Sequence, residues 1–217
     1  MIMNKMIVID GVDGAGKGVQ TRRLQQSLLS SGIFCILTRE PGGSPGAEQI
    51  RELLVNGDPD KWDSMTELLL MLAARKTHLR ETILPALAQG KWVISDRFAD
   101  SSRAFQGIAG ELGLDIVNQL HQICIGDFKP DLVLILDIDE KIALSRAEAR
   151  GQGEDRFERK GGEYHAMVRS AFREIASSDS SLYRLIDASG SMDEVSTQIL
   201  STINQAFSLS LQLSDAS

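Results

Sequence analysis

Eight consecutive residues near the amino terminus, Gly11-Val12-Asp13-Gly14-Ala15-Gly16-Lys17-Gly18, have the types and spacing to bind phosphate. Glycines placed this way let the backbone curl with its N–H groups turned inward onto phosphate oxygens. A helix beginning just after them adds a favourable dipole. Lys17 would lie along the β- and γ-phosphates of a nucleotide. Such a loop needs a strand before it and a helix after it. The run 6–10, Met-Ile-Val-Ile-Asp, reads as a buried strand, and Leu24, Leu28 and Leu29 recur at helical spacing within 19–29. The bland alternative is a glycine-rich turn with no ligand, and GxxxxGK in this context is the tighter signal.

One position departs from the pattern. A Ser or Thr hydroxyl after the lysine binds Mg²⁺ in the usual loop, whereas this chain has Gly18 and then Val19. Two readings stay open: a nucleotide site that handles its metal mainly through water and phosphate, or a degraded one. Adenylate kinases resemble the first, with glycine directly after the lysine.

Further cations fall at strand ends and in a glycine-flanked loop. The strand expected at 33–38 breaks at Arg39-Glu40-Pro41-Gly42-Gly43, which leaves Arg39 at its carboxyl end, the edge where open α/β sheets bind ligands. Asp96-Arg97-Phe98 follows an expected strand at 91–95; Asp96 could position Mg²⁺ through water and Arg97 an acceptor phosphate. Arg75 follows two alanines that leave room beside it. Arg146, Arg150, Arg156 and Arg159 lie in or beside a stretch with glycines at both ends, 151–162, which describes a lid able to close over phosphate.

The elements that must position these residues alternate strand and helix. Helices are expected at 45–55, 64–88, 113–126, 140–150, 164–176 and 192–207, with another carrying Ser101, Phe105 and Gln106. Strands are expected at 131–137 and 183–188. The fourth strand is apolar throughout its middle, the mark of a parallel sheet covered by helices on both faces. The five large apolar residues at 68–72 exceed what one core-facing stripe needs, so the surplus must meet a ligand or a second subunit. His78 is expected at the surface, while Tyr164 and His165 could approach a ligand.

Composition bounds the rest. A 217-residue chain that is 42% hydrophobic and 24% charged suits one domain, 1–208, with a lid at about 150–162 and a disordered tail at 209–217. The formal net charge of −7 argues against general nucleic-acid or membrane affinity, so phosphate must be met by locally focused arginines. The amino-terminal apolar run is too short for a signal peptide or a membrane span. Cys35 and Cys124 are expected as buried free thiols of a cytoplasmic protein.

Together these motifs resemble the thymidylate kinases of bacterial type. The resemblance rests on residues 11–17, Thr38 through Gly43, Ala73-Ala74-Arg75, Asp96-Arg97-Phe98, Phe105-Gln106-Gly107 and Arg150-Gly151 with Asp155-Arg156-Phe157-Glu158, in family order and spanning the chain to about Ala188. It implies a three-layer P-loop fold with five parallel strands in the order 2-3-1-4-5, a homodimer, and transfer of the ATP γ-phosphoryl group to dTMP with Mg²⁺. It also implies that Asp13 meets the sugar 3′-hydroxyl and that Arg39 and Arg97 hold the acceptor phosphate. Arg75 would bond the thymine carbonyl, with Ser101 and Gln106 near the base. Arg150 and Arg156 would supply the lid charge, Gly14 standing where some relatives carry an arginine. Leu72 stands where the family offers an aromatic ring to stack on thymine, and Phe105 replaces a tyrosine. A kinase of another or modified pyrimidine deoxynucleotide, or a catalytically weak nucleotide-binding protein, is the alternative.

Overall fold

The computed structural model describes residues 4–139, 142–143, 145–146, 156–157 and 159–213. Five strands, β1 (Met6–Gly11), β2 (Cys35–Arg39), β3 (Trp92–Asp96), β4 (Leu132–Asp137) and β5 (Tyr183–Asp187), form one sheet in the order β2-β3-β1-β4-β5. Every pairing is parallel. All of β1 and the first five residues of β4 are buried, which is why both read as unbroken apolar runs rather than alternating ones.

Helix α1 (Lys17–Ser30) packs across β1, β2 and β3 and against α8 (Met192–Phe207), while α7 (Gly162–Ser178) lies on β4 and β5. Helices α2 (Pro45–Val55), α3 (Ser64–His78) and α6 (Leu114–Ile125) stack in turn, α2 on α3 and α3 on α6. Short α4 (Leu84–Ala88) and α5 (Ala99–Ser102) flank β3. Asp63 caps α3 by accepting from Thr66 N at 2.6 Å, and Ser191 with Glu194 forms a capping box on α8.

The register sets up the site. Asp96 lies opposite both Ile9 and Arg39, so the carboxyl ends of β1, β2 and β3 form one level edge carrying Asp10, Arg39 and Asp96.

Two expectations change. The single helix expected at 64–88 is three segments: a π turn at Leu79–Ile83 separates α3 from α4, with Leu84 N bonded to Leu79 O. Pro85, at the start of α4, has no N–H to continue the α-helical ladder there. The tail is pinned at its start, Leu211 being buried and exchanging hydrogen bonds of 2.7 and 3.0 Å with the Asn204 amide. The helix expected at 140–150 is described only at residues 142, 143, 145 and 146, which are helical.

Candidate active site

The glycine loop joins β1 to α1 as its sequence demands. Gly14 has φ +79°, and a Cβ there would lie 2.2 Å from Ala143 O, so no other residue fits. Gly16, at φ +88°, caps α1 and leaves the first amides of that helix without intrahelical acceptors. Lys17 is buried, its Nζ donating to Val12 O at 2.8 Å and Gly11 O at 3.2 Å, with Asp13 at 3.5 Å. Burial and the Arg97 charge push the Lys17 ammonium below its ordinary range; Asp13, Asp96 and Asp10 pull the other way.

Arg97 is the hub of this edge. Its Nη1 donates to Asp10 Oδ1 (3.2 Å), Gly11 O (2.9 Å) and Ser101 Oγ (3.0 Å), and its Nη2 donates to Asp13. It sits at φ +71°, a left-handed conformation rare for a side chain of this size and one that clusters at ligand sites. Enclosure would lower the Arg97 pKa, but Asp13, Asp10 and Asp96 outweigh it and raise it further. For Asp13 burial pushes upward, yet Arg97 and Lys17 hold the carboxyl well below the usual range. Asp10 goes the other way: burial dominates and lifts it to about 6, against the pull of Arg97 and Ser101.

A second network lies behind the first. Arg75 is 2% exposed; its Nε donates to Glu40 Oε2 (2.6 Å) and its Nη2 to Phe98 O (2.9 Å) and Ser102 Oγ (3.1 Å). Its Nη1 is buried with no hydrogen-bond partner among the described residues. His78, expected at the surface, is fully buried instead, its ring between Glu40 Oε1 at 3.1 Å and Thr38 Oγ1 at 2.6 Å. The helical period explains this. Glu67, Met71, Arg75 and His78 share one stripe of α3, whereas Leu68 and Leu72 share the core-facing stripe. Leu72 is therefore sealed in the core, and the apolar side chain standing between Glu67 and Arg75 is the half-buried Met71.

Glu67 anchors a third cluster. Its Oε1 accepts from Arg156 Nη2 (2.6 Å) and Lys160 Nζ (3.1 Å), and its Oε2 accepts from Gln106 Nε2 (2.9 Å). Arg156 also donates to Leu54 O (3.0 Å) and Pro59 O (2.7 Å), and is fully buried. The expectation that Arg156 is a lid cation facing phosphate is thus corrected, because every guanidinium nitrogen is spent inside the protein. Arg146 is tied to the carbonyls of Ala188, Ser189 and Gly190, and Arg159 to Gly57 O. Arg150 and the rest of residues 150–155, with 158, lie outside the described residues.

The remaining expected residues divide. Ser101 stands with Asp10 and Arg97, its hydroxyl 2.8 Å from Asp10 Oδ1, while Ser102 meets Arg75. Phe105 packs edge-on against Phe157 and Phe172, with the Arg97 guanidinium over its ring at 5.2 Å. Tyr164 donates to Phe105 O at 3.0 Å. Arg39 is half exposed and paired with Glu48 at 3.1 Å. A Cβ built on Gly18 would lie 3.7 Å from both Asp96 Oδ2 and Arg22 Nη1, so a carboxylate stands beside the place of the missing hydroxyl. No cluster of three metal-ligating side chains occurs among the described residues. One carboxylate beside a phosphate loop nonetheless fits Mg²⁺, which keeps its waters and takes its other ligands from phosphate.

Sequence reasoning missed Asp10, Glu40 and Glu67. Asp10 was findable: an acid ending a buried strand at the carboxyl edge is the argument applied to Asp96. Glu40 and Glu67 were not, since their partners lie 35 and 89 residues away.

Comparison with known proteins shows the family. The family described as Thymidylate kinase matches residues 9–199. A thymidylate kinase of Ruegeria pomeroyi is 47% identical over 194 residues, covering 89% of this chain and 91% of its own length. That of Caulobacter vibrioides is 46% identical over 209 residues, covering 96% and 100%. The crystal structure of thymidylate kinase from Ehrlichia chaffeensis superposes with a TM-score of 0.75 at 29% identity, covering 92% and 98%.

Proposed function

Since the chain belongs to the thymidylate kinase family and transfers a phosphoryl group from ATP to dTMP, giving dTDP and ADP, we propose that the three networks above divide that reaction between them. The observation that carries this division is two buried atoms without a hydrogen-bond partner among the described residues: Arg75 Nη1, a donor, and Gln106 Oε1, an acceptor. A buried polar group without a partner costs about 1–3 kcal/mol. Thymine offers what the pair lacks, a carbonyl for the arginine and an N3–H for the amide oxygen. Met71, between Glu67 and Arg75 on the same stripe, supplies the apolar contact to the ring.

The loop amides and Lys17 hold the ATP phosphates. Arg97, kept charged by Asp10 and Asp13, holds the acceptor phosphate, with Arg39 at the outer edge. Asp13 meets the sugar hydroxyl. Arg150 is the cation on the transferred group. A phosphate oxygen is already a competent nucleophile near neutral pH, so positioning and charge neutralisation suffice and no general base is assigned. Mg²⁺, held through water by Asp96, would neutralise the donor oxygens when bound. Two free cysteines, Cys35 and Cys124, support a reducing compartment, the cytoplasm. The exposed apolar residues of α3 and α6 support a homodimer. The alternative of a catalytically weak binding protein is not favoured.

A coupled ADP-release assay over dTMP, dUMP, dCMP, dGMP and AMP tests this reading. Expected is dTMP fastest, dUMP slower and the others poor; a purine monophosphate turned over faster than dTMP would sink it.

A further inference from the structure

We propose that Glu67 is a positioning residue that sets which pyrimidine the site accepts, by holding the Gln106 side-chain amide in one orientation. The proposal rests on the reading that Gln106 faces the base.

A primary amide has two ends of nearly one shape and opposite chemistry: its oxygen accepts and its nitrogen donates. A half-turn about the last bond exchanges them, so shape alone does not fix what a glutamine presents. Glu67 does fix it. A carboxylate paired with a guanidinium only accepts, so the Gln106 group 2.9 Å from Glu67 Oε2 is the NH₂. The oxygen is left as the free end, and it is buried without a partner among the described residues.

Glu67 has no freedom to offer anything else. It is 1% exposed, and its other oxygen takes Arg156 at 2.6 Å and Lys160 at 3.1 Å. Arg156 is in turn locked by the Leu54 and Pro59 carbonyls. The chain of constraint runs from the α2 end through Arg156 and Glu67 to the amide, and it ends in a fixed acceptor.

A fixed acceptor selects a base carrying N3–H. Uracil and thymine have one; cytosine presents a lone pair at N3, which would face the Gln106 oxygen with both acceptors buried. An enclosed site built for one hydrogen-bond polarity rejects the opposite polarity strongly, here by about 10- to 100-fold from this atom alone.

The readout is the ratio of kcat/KM for dUMP to that for dCMP, two acceptors that differ only around N3 and C4. Glu67→Gln leaves the size unchanged but lets position 67 donate as well as accept, which frees the Gln106 amide to turn. The ratio is expected to fall at least about tenfold, with KM for dUMP rising while kcat at saturating dUMP stays within a few-fold. Lys160→Met, which keeps the contacts of Glu67 to Arg156 and Gln106, is expected to leave the ratio unchanged. Melting curves check folding. Should Glu67→Gln not fold with Arg156 unpaired, Glu67→Gln combined with Arg156→Met removes both charges and carries the same test. Gln106→Leu separates the two levels. If Gln106→Leu leaves the ratio intact, Gln106 does not read the base and the proposal falls with that reading. If Gln106→Leu collapses the ratio and neither Glu67 variant does, Glu67 is structural only and the proposal alone is overturned.

Discussion

Arg156 Nη2 lies 2.6 Å from Glu67 Oε1, with both side chains sealed from solvent. An arginine that its sequence surroundings place in a closing loop is instead tied to Glu67 on α3 and to the carbonyls of Leu54, in α2, and Pro59. A buried pair of this kind stabilises weakly as a pair but is costly to break from one side, because the surviving charge is left without a partner.

Arg156→Ala is therefore expected to act on stability first. The loss is about 3–5 kcal/mol, the usual cost of removing one partner of a buried ion pair. Denaturant unfolding measures it. Molecules that remain folded should keep kcat within a few-fold. A fall near 10³-fold in kcat with unchanged unfolding would return Arg156 to the phosphate.

Arg97→Ala should do the opposite. It removes the cation that Asp10, Asp13 and Ser101 converge on, and with it the charge assigned to the acceptor phosphate. Hydrogen bonds to charged groups are worth about 1.5–3 kcal/mol, so KM for dTMP should rise about 10- to 100-fold. Steady-state kinetics with dTMP varied decides, and an unchanged KM would place the acceptor elsewhere.

Asp10 carries a pH signature. Its carboxyl is raised in the folded protein from 3.8 to about 6, chiefly by burial. Between those values the folded state binds more protons than the unfolded one, so this group's penalty grows as pH rises through the window and is full above it. Asp10→Asn removes a cost on the order of 3 kcal/mol at pH 7. The nucleotide-free variant should melt higher than the parent at pH 7.5, with the gain fading towards pH 4. A variant that melts lower at pH 7.5 would show that the Arg97 contact outweighs burial.

Gly18→Ser tests the departure in the phosphate loop. Among the described residues a Cβ there meets nothing nearer than 3.7 Å, and Gly18 is not among the glycines of positive φ. The variant should fold, gaining a few tenths of a kcal/mol or more from helix propensity. The restored hydroxyl should lower the Mg²⁺ concentration needed for half-maximal rate. An unchanged requirement would mean that Asp96, water and phosphate already satisfy the ion.

Light scattering tests the dimer. Leu69 on α3 is 50% exposed, and Ile116 and Ile123 on α6 are 41% and 79% exposed; these two helices pack on each other, so the residues lie on neighbouring elements. A mass near twice 23.7 kDa at micromolar concentration is expected. A single-chain mass would leave that apolar surface uncovered and the assignment wrong.

Local chemistry made much of this protein legible from its sequence. A glycine loop between an apolar strand and a helix declares itself, because its backbone demands lie within eight residues. The buried middle of β4 announced a parallel sheet, and Asp96-Arg97 at a strand end announced a ligand edge, since strand termini are set by short-range pattern. What the sequence left undecided is which side chain each arginine meets. Arg75 and Arg156 look alike in a string of letters: each is a cation in a short motif that reads as a ligand contact. Only packing brings Glu40 to one and Glu67 to the other, across 35 and 89 residues. The face of α3 was likewise decided in three dimensions. A run of five large apolar residues satisfies several helical phases at once, and the buried polar partners at Glu67, Arg75 and His78 are what choose the phase that turns Leu72 inward and leaves Met71 beside them.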